Sequence, residues 1–127
     1  MTLHRVEPET IYLPPTPHVP NSHLPVLIYR NALNAPSSAT ILSTIEPNHW
    51  LKGGQWSRSV ATHFHSTTHE CYGIIRGSST YVLGTAPDDG DEYAAVELEV
   101  KHGDVFVLPV SITALLPGSC IATWVGD

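Results

Sequence analysis

His63-Phe64-His65-Ser66-Thr67-Thr68-His69-Glu70 is the stretch on which the fold turns. It sets two imidazoles two positions apart, a third four further on, and a carboxylate directly behind that. In an extended strand, residues i and i+2 point to the same face. His63 and His65 then aim into one space, with Cα atoms roughly 6.5–7 Å apart. Two neutral imidazoles and one carboxylate make the facial ligand set of non-haem Fe(II) sites, which leaves coordination positions open. The stretch points to a metal pocket with His63, His65 and Glu70 as ligands. It does not name a reaction.

Composition bounds the rest. The chain has 127 residues, the size of one domain. Such a length buries on the order of two-thirds of its unfolded surface, enough for one core. Charged residues are 14% of the chain, against about 25% in an average domain. Together with 11 prolines and 9 glycines, this points to short strands and many turns. A net charge of -6 and the lack of any basic cluster argue against a nucleic-acid partner. Met1 to Thr10 has no apolar run and is not a secretory signal. No apolar stretch approaches the roughly 18 residues of a membrane span. Cys71 and Cys120 make no disulfide framework and read as reduced, buried thiols. A cytoplasmic protein is the expectation.

Residues 1–24 form a proline-punctuated arm, and 25–127 a single domain. Proline fixes its own backbone and pushes the preceding residue to an extended form, so the arm is not helical. Thr10 to Leu13 reads as a short edge strand, and Pro25 to Arg30 as a strand. One short helix is expected near 38–46, capped by Ser37 or Ser38 and ended by Pro47. Trp50 to Trp56 reads as a turn flanked by tryptophans that cover one end of the core. From Arg58 onward the pattern is consecutive antiparallel strands: Arg58–His65, Glu70–Arg76, Ser79–Gly84, Tyr93–Val100 and Val105–Leu108. The acidic group Asp88, Asp89, Asp91 and Glu92 reads as a solvated turn at a hairpin tip. Many short strands at regular spacing indicate an all-β sandwich or barrel.

The run His63-x-His65-x4-Glu70-x6-Gly77 resembles the first signature of the cupin superfamily. Gly103-x5-Pro109 resembles the start of the second. The motif core covers about residues 58–110, and the HSTTHE stretch resembles a group of small, uncharacterised single-domain cupins. The resemblance implies an all-β fold, a cupin-type double-stranded β-helix or jelly-roll barrel. It implies a divalent metal ion on His63, His65 and Glu70, with Fe or Mn favoured by the ligand set and Ni or Zn as further options. It also implies a small-molecule ligand and a homodimer formed through the N-terminal arm.

The chain departs from the family pattern in two places. Ser57 stands where the leading glycine of the first signature is expected. After Pro109 the family expects glycine at 111, histidine at 114 and often asparagine at 118; here are Ser111, Ala114 and Gly118. The usual fourth ligand is therefore absent at Ala114. The tail offers one strand, Ile121 to Val125, so the barrel is expected to be C-terminally incomplete. Two readings stay open from Val110: natural divergence, or read-through of a retained intron, since Val110-Ser111 can be encoded as GTA-AGT.

Alternation sends His69 and Glu70 to opposite faces, so His69 is the lesser candidate ligand. Tyr72 and Ile74 share the face of Glu70 and would line the pocket, although Tyr72 also reads as a buried core residue. His4, His18, His23, His49 and His102 lie in loop contexts. Three functions stand side by side. One is a metal-dependent dioxygenase or isomerase acting on a small organic metabolite. Another is a non-catalytic small-ligand-binding module. The last is a truncated, inactive splice product.

Overall fold

The computed structural model describes residues 5–34, 37–48, 50–56, 60–63, 68–109, 114–116 and 120–125; for residues 38, 52–56, 60–63, 114–116 and 120–125 it describes the backbone alone. Among the described residues, ten strands and one α-helix run in the order β1 (Glu9–Ile11), β2 (Val26–Tyr29), α1 (Ser38–Ile45), β3 (Trp50–Trp56), β4 (Val60–His63), β5 (Glu70–Ile74), β6 (Ser78–Leu83), β7 (Val96–Lys101), β8 (Val105–Leu108), β9 (Ala114–Leu116) and β10 (Cys120–Val125). They form two antiparallel sheets. One has six strands, ordered β1-β2-β8-β5-β10-β3; the other has four, ordered β4-β9-β6-β7. No helix among the described residues is long and apolar enough to cross a membrane.

Period-two alternation decides what lies between the sheets. In β7, Leu98 and Val100 turn inward while Glu97, Glu99 and Lys101 stay exposed. The inward residues of both sheets meet in one cluster that includes Val26, Ile28, Tyr72, Phe106, Tyr81 and Leu83. Strand β5 is buried along its whole length because its other face is covered too. There, α1 lays Ile41 against Gly73, where a Cβ would sit 3.0 Å from Ile41 Cδ1. Burying a side chain such as Ile41 contributes about 1.5–3 kcal/mol. The helix starts where Ser37 accepts from the Thr40 amide while the Thr40 hydroxyl accepts from the Ser37 amide. Pro47 falls in a single 3-10 turn, Glu46–Asn48, directly after it.

Two expectations about strands are corrected. Trp50–Trp56 is not a turn but the edge strand β3, paired to β10. Its two glycines mimic a turn in sequence, yet a register shift leaves Gly53 as the extra residue opposite Ala122 and Thr123, a β-bulge. The tail supplies two strands rather than one. Strand β9 pairs with both β4 and β6, and β10 lies inside the larger sheet between β5 and β3. These pairings describe two antiparallel sheets, one edged by β1 and β3 and the other by β4 and β7. Val110 lies outside the described residues.

Gly103-Asp104, in the second family-like run, is a structural joint. Gly103 has φ +92°, and a Cβ there would stand 2.6 Å from the Leu33 carbonyl oxygen. Its carbonyl accepts from the Leu33 amide and its amide donates to Ile74, while the Ile74 amide donates to the Asp104 carbonyl, each at 3.0 Å. The buried Asp104 carboxylate accepts from the amides of Asn31 (2.8 Å) and Lys101 (2.9 Å) and from Arg30 (3.4 Å). Arg30 also reaches back to Glu9 of β1 at 2.8 Å. Partial burial pulls the Arg30 guanidinium down, but Glu9 and Asp104 outweigh it and raise it above its ordinary value.

The proline-rich arm is strapped to the sheets. Leu13 and Val19 are buried. Asn21 donates to the carbonyls of Pro14 and Gly84, both at 2.8 Å. Asp89, expected in a solvated turn, accepts from the Thr16 hydroxyl (2.6 Å), the His18 amide (3.0 Å) and the Ala86 amide (2.8 Å). Its neighbours Asp88, Asp91 and Glu92 are exposed. Desolvation pulls the Asp89 carboxyl upward, but the three hydrogen bonds and the His18 charge outweigh it and hold it below the ordinary carboxylate range. A folded-state value below the unfolded one means the contribution is present above the unfolded value and fades as pH falls through the folded one. The strap is therefore expected to hold at neutral and mildly acidic pH and to loosen in stronger acid. Asp89→Ala should loosen it at neutral pH, with the His18 amide exchanging about tenfold faster or more by hydrogen-exchange NMR; unchanged exchange would show that Leu13 and Val19 hold the arm alone.

Candidate functional site

Glu70 opens β5, an interior strand with β8 on one side and β10 on the other. It is 4% exposed, a carboxylate among apolar residues. Alternation puts it on the inward face with Tyr72 and Ile74, both sealed in the core cluster. The Tyr72 hydroxyl donates to Glu70 Oε2. Tyr72 is itself stacked on Phe106, with ring centroids 5.0 Å apart and planes 14° apart, and Phe106 is its cross-strand partner. Tyr81 meets Phe106 edge-on at 4.8 Å and 63°.

His63 ends β4 in the opposite sheet, and its cross-strand partner on β9 is Ala114. The register shifts by one residue between Val60 and His63, a bulge immediately before the histidine. Bulges recur beside functional sites, where they re-aim a side chain. Only residues 64–69 join the end of β4 to the start of β5. His63 and Glu70 therefore stand at the same end of the two-sheet stack, one in each sheet. His65 lies outside the described residues. Among the described residues no group of three metal-binding side chains assembles, and the proposed trio is not brought together in full.

His69 takes the other direction. It lines an apolar groove of about 260 Å³ with Leu24, Leu27, Trp50, Val107 and Pro109. Leu27 and Val107 are register partners whose neighbours Val26, Ile28, Phe106 and Leu108 fill the core, so this groove lies on the outer face. The one-residue step from His69 to Glu70 thus separates an outer imidazole from an inner carboxylate. Cys71 is buried. His18, His23 and His102 are exposed, while His4 and His49 lie outside the described residues. A larger depression of about 450 Å³ lies elsewhere, around Arg30, Glu99, Lys101 and Asp104, where the ion pairs of the arm are made.

Sequence reasoning did not connect Phe106 and Tyr81 to the site. Their inward alternation in Val105–Leu108 and Ser78–Leu83 was readable, but not the ring geometry that fixes Tyr72.

No family model matches the chain, and no curated protein does. A solved structure, that of a predicted oxalate decarboxylase from Thermotoga maritima, is 17% identical over 98% of each chain, with a TM-score of 0.25. A likeness of that size carries neither fold nor chemistry across.

Burying an ionised carboxylate costs several kcal/mol, and a hydrogen bond to a charged group returns about 1.5–3 kcal/mol. Glu70→Leu takes away the acceptor used by the Tyr72 hydroxyl and is expected to cost about 1–3 kcal/mol of stability. Glu70→Leu with Tyr72→Phe should recover that loss or exceed it, because both polar groups then leave the core. Urea unfolding of the metal-free variants checks this; a double variant as unstable as the sum of its single changes would mean the pair holds the core.

Proposed function

We propose that this chain is a small cupin-type metalloprotein that holds a divalent cation between its two sheets through His63, His65 and Glu70. The observation that carries the reading is Glu70, a carboxylate sealed on the inward face of an interior strand at the end of the stack where His63 closes β4. The strand order supports it: β3-β10-β5-β8 in one sheet and β4-β9-β6-β7 in the other follow the two Greek keys of an eight-stranded jelly roll.

The donor set fits the group. Two imidazole nitrogens and one carboxylate suit Fe(II) or Mn(II) and also accept Ni(II) or Zn(II). When bound, the ion supplies Lewis acidity, or a seat for oxygen or water, toward a small organic acid or ketone. His63, at the end of β4, and His65 hold the cation. Glu70 offsets its charge from the six-stranded side. The apolar core around Tyr72 and Phe106 keeps water from the carboxylate. Dioxygenation and isomerisation of a small metabolite are the reaction classes that such a site serves.

Ala114 favours a second reading, a non-catalytic module for a small ligand. It sits directly across from His63, where the family pattern expects a further imidazole, and a methyl group cannot bind a metal.

Elemental analysis of the purified protein separates the two. The metal reading expects stoichiometric Fe or Mn, lost in His63→Ala and reduced in Glu70→Gln with the fold retained by circular dichroism. A folded, metal-free protein that binds a metabolite would replace it with the second reading. Directly opposed residues in an antiparallel pair hold their Cβ atoms about 4.5–5.5 Å apart. Ala114→His should therefore add a ligand beside His63 and tighten Mn(II) binding about tenfold, or ~1.4 kcal/mol; calorimetric titration showing no change would place position 114 outside the site.

A further inference from the structure

We infer that the cleft between the start of the arm and the C-terminal end of α1 binds a small carboxylate with an apolar body, whose charge is met by Arg5. The cleft lies on the outer face of the six-stranded sheet, apart from the candidate metal centre, so the two readings stand or fall separately.

The cleft holds about 300 Å³. That is the lower end of the range for ligand pockets, which combine apolar walls with a few convergent polar groups. Ala32 and Leu33 lie buried in its floor, and Val6, Ile45 and Val105 are partly buried around them. Val105 pairs with Tyr29 across β8 and β2, and their neighbours Phe106 and Ile28 fill the core. Alternation therefore puts Tyr29 and Val105 on the outer face. The floor continues into the cluster beneath α1, where Leu33 and Ile41 pack with Leu42, Ile45 and Val105. Thr44 and Asn48 supply polar groups to the lining. The Thr44 hydroxyl donates to the Thr40 carbonyl at 2.8 Å, and the Asn48 side-chain amide donates to the Thr44 carbonyl at 3.2 Å. Both are tied to the end of the helix, so this side of the cleft is formed in advance.

Charge decides the ligand class. Arg5 lines the cleft and makes no ion pair among the described residues. No carboxylate is in the lining; Glu7 and Glu46, the acidic residues nearest along the chain, are exposed and outside it. The other hollows differ. In the 450 Å³ depression Arg30 is already answered by Asp104, and in the 260 Å³ groove His69 is the lone ionisable group. The chain has 12 acidic residues and six Lys and Arg. A guanidinium with no carboxylate beside it, next to an apolar floor, is the exception in such a chain. Its planar fork suits one carboxylate through two parallel N–H donors. A bare inorganic anion would gain nothing from Leu33, Ile45 and Val105, and a neutral apolar molecule would gain nothing from Arg5.

4-Fluorophenylacetate is the probe, and 4-fluorophenylacetamide, similar in shape without the charge, is its control. Fluorine NMR reads affinity, and backbone amide shifts read location. The acid is expected to bind with a Kd of about 1 mM or below at low salt, and the amide about tenfold more weakly. The shifts should fall at Leu33, Ile45 and Val105. Arg5→Gln should remove the tenfold advantage of the acid and leave binding of the amide as it was. Lys101→Gln, which changes an exposed cation outside the cleft, should alter neither. Equal binding of acid and amide, or an advantage that survives Arg5→Gln, overturns the inference. So do shifts confined to the His69 groove, and so does an acid that fails to bind at ~10 mM.

Discussion

The alternation of side chains along a doubly covered strand governs this molecule. Strand β5 is flanked by β8 and β10, lined inside by the aromatic cluster and roofed outside by α1. On such a strand a one-residue slip would carry Glu70 out of the core and Cys71 into it. Two features hold the register. Tyr72 opposes Phe106 directly, and Gly73, lacking a side chain, is the position over which Ile41 fits. Everything said of Glu70 follows from that register, including its separation from His69.

A second constraint fixes where β5 ends. Ile74, its last residue, exchanges backbone hydrogen bonds with Gly103 and Asp104, and the same turn engages Leu33 and, through the Asp104 carboxylate, Asn31 and Arg30. Two separate stretches of chain, residues 30–33 and the end of β5, converge on this turn. A backbone conformation that only glycine adopts readily, pressed against a carbonyl oxygen, makes the joint specific. Arg30 extends it to Glu9 and so to the arm. The core end of β5 is pinned by polar groups, and the opposite end, with Glu70, is the one facing the candidate centre.

Much of the sheet structure was legible in the sequence because one face of each strand is apolar. Val105–Leu108 matched to the residue, and the edges of β2, β5, β6 and α1 fell within one or two positions. Strand β3 was hidden because Gly53-Gly54 reads as a turn unless the bulge against β10 is known. Strand β9 was hidden because Ala114-Leu115-Leu116 is too short and too uniform to alternate. The role of Asp89 was hidden by distance: Thr16 lies 73 residues away, and no local pattern announces a hydrogen bond of that span. The candidate centre was legible as residue types and spacing. His63 and Glu70 fall on facing sheets, whereas His65 lies outside the described residues. The Tyr72–Glu70 contact needed the rotamers that packing against Phe106 imposes, and no sequence rule supplies those.

The place of β10 in the larger sheet bears on how the chain is made. Its slot, between β5 and β3, stays vacant on the ribosome until residues 120–125 have emerged. Until then two strands far upstream, β3 and β5, present unsatisfied amide edges, a template for pairing with a neighbouring nascent chain. Every contact that fills the slot is distant in sequence, the pattern associated with slow, late-cooperative folding.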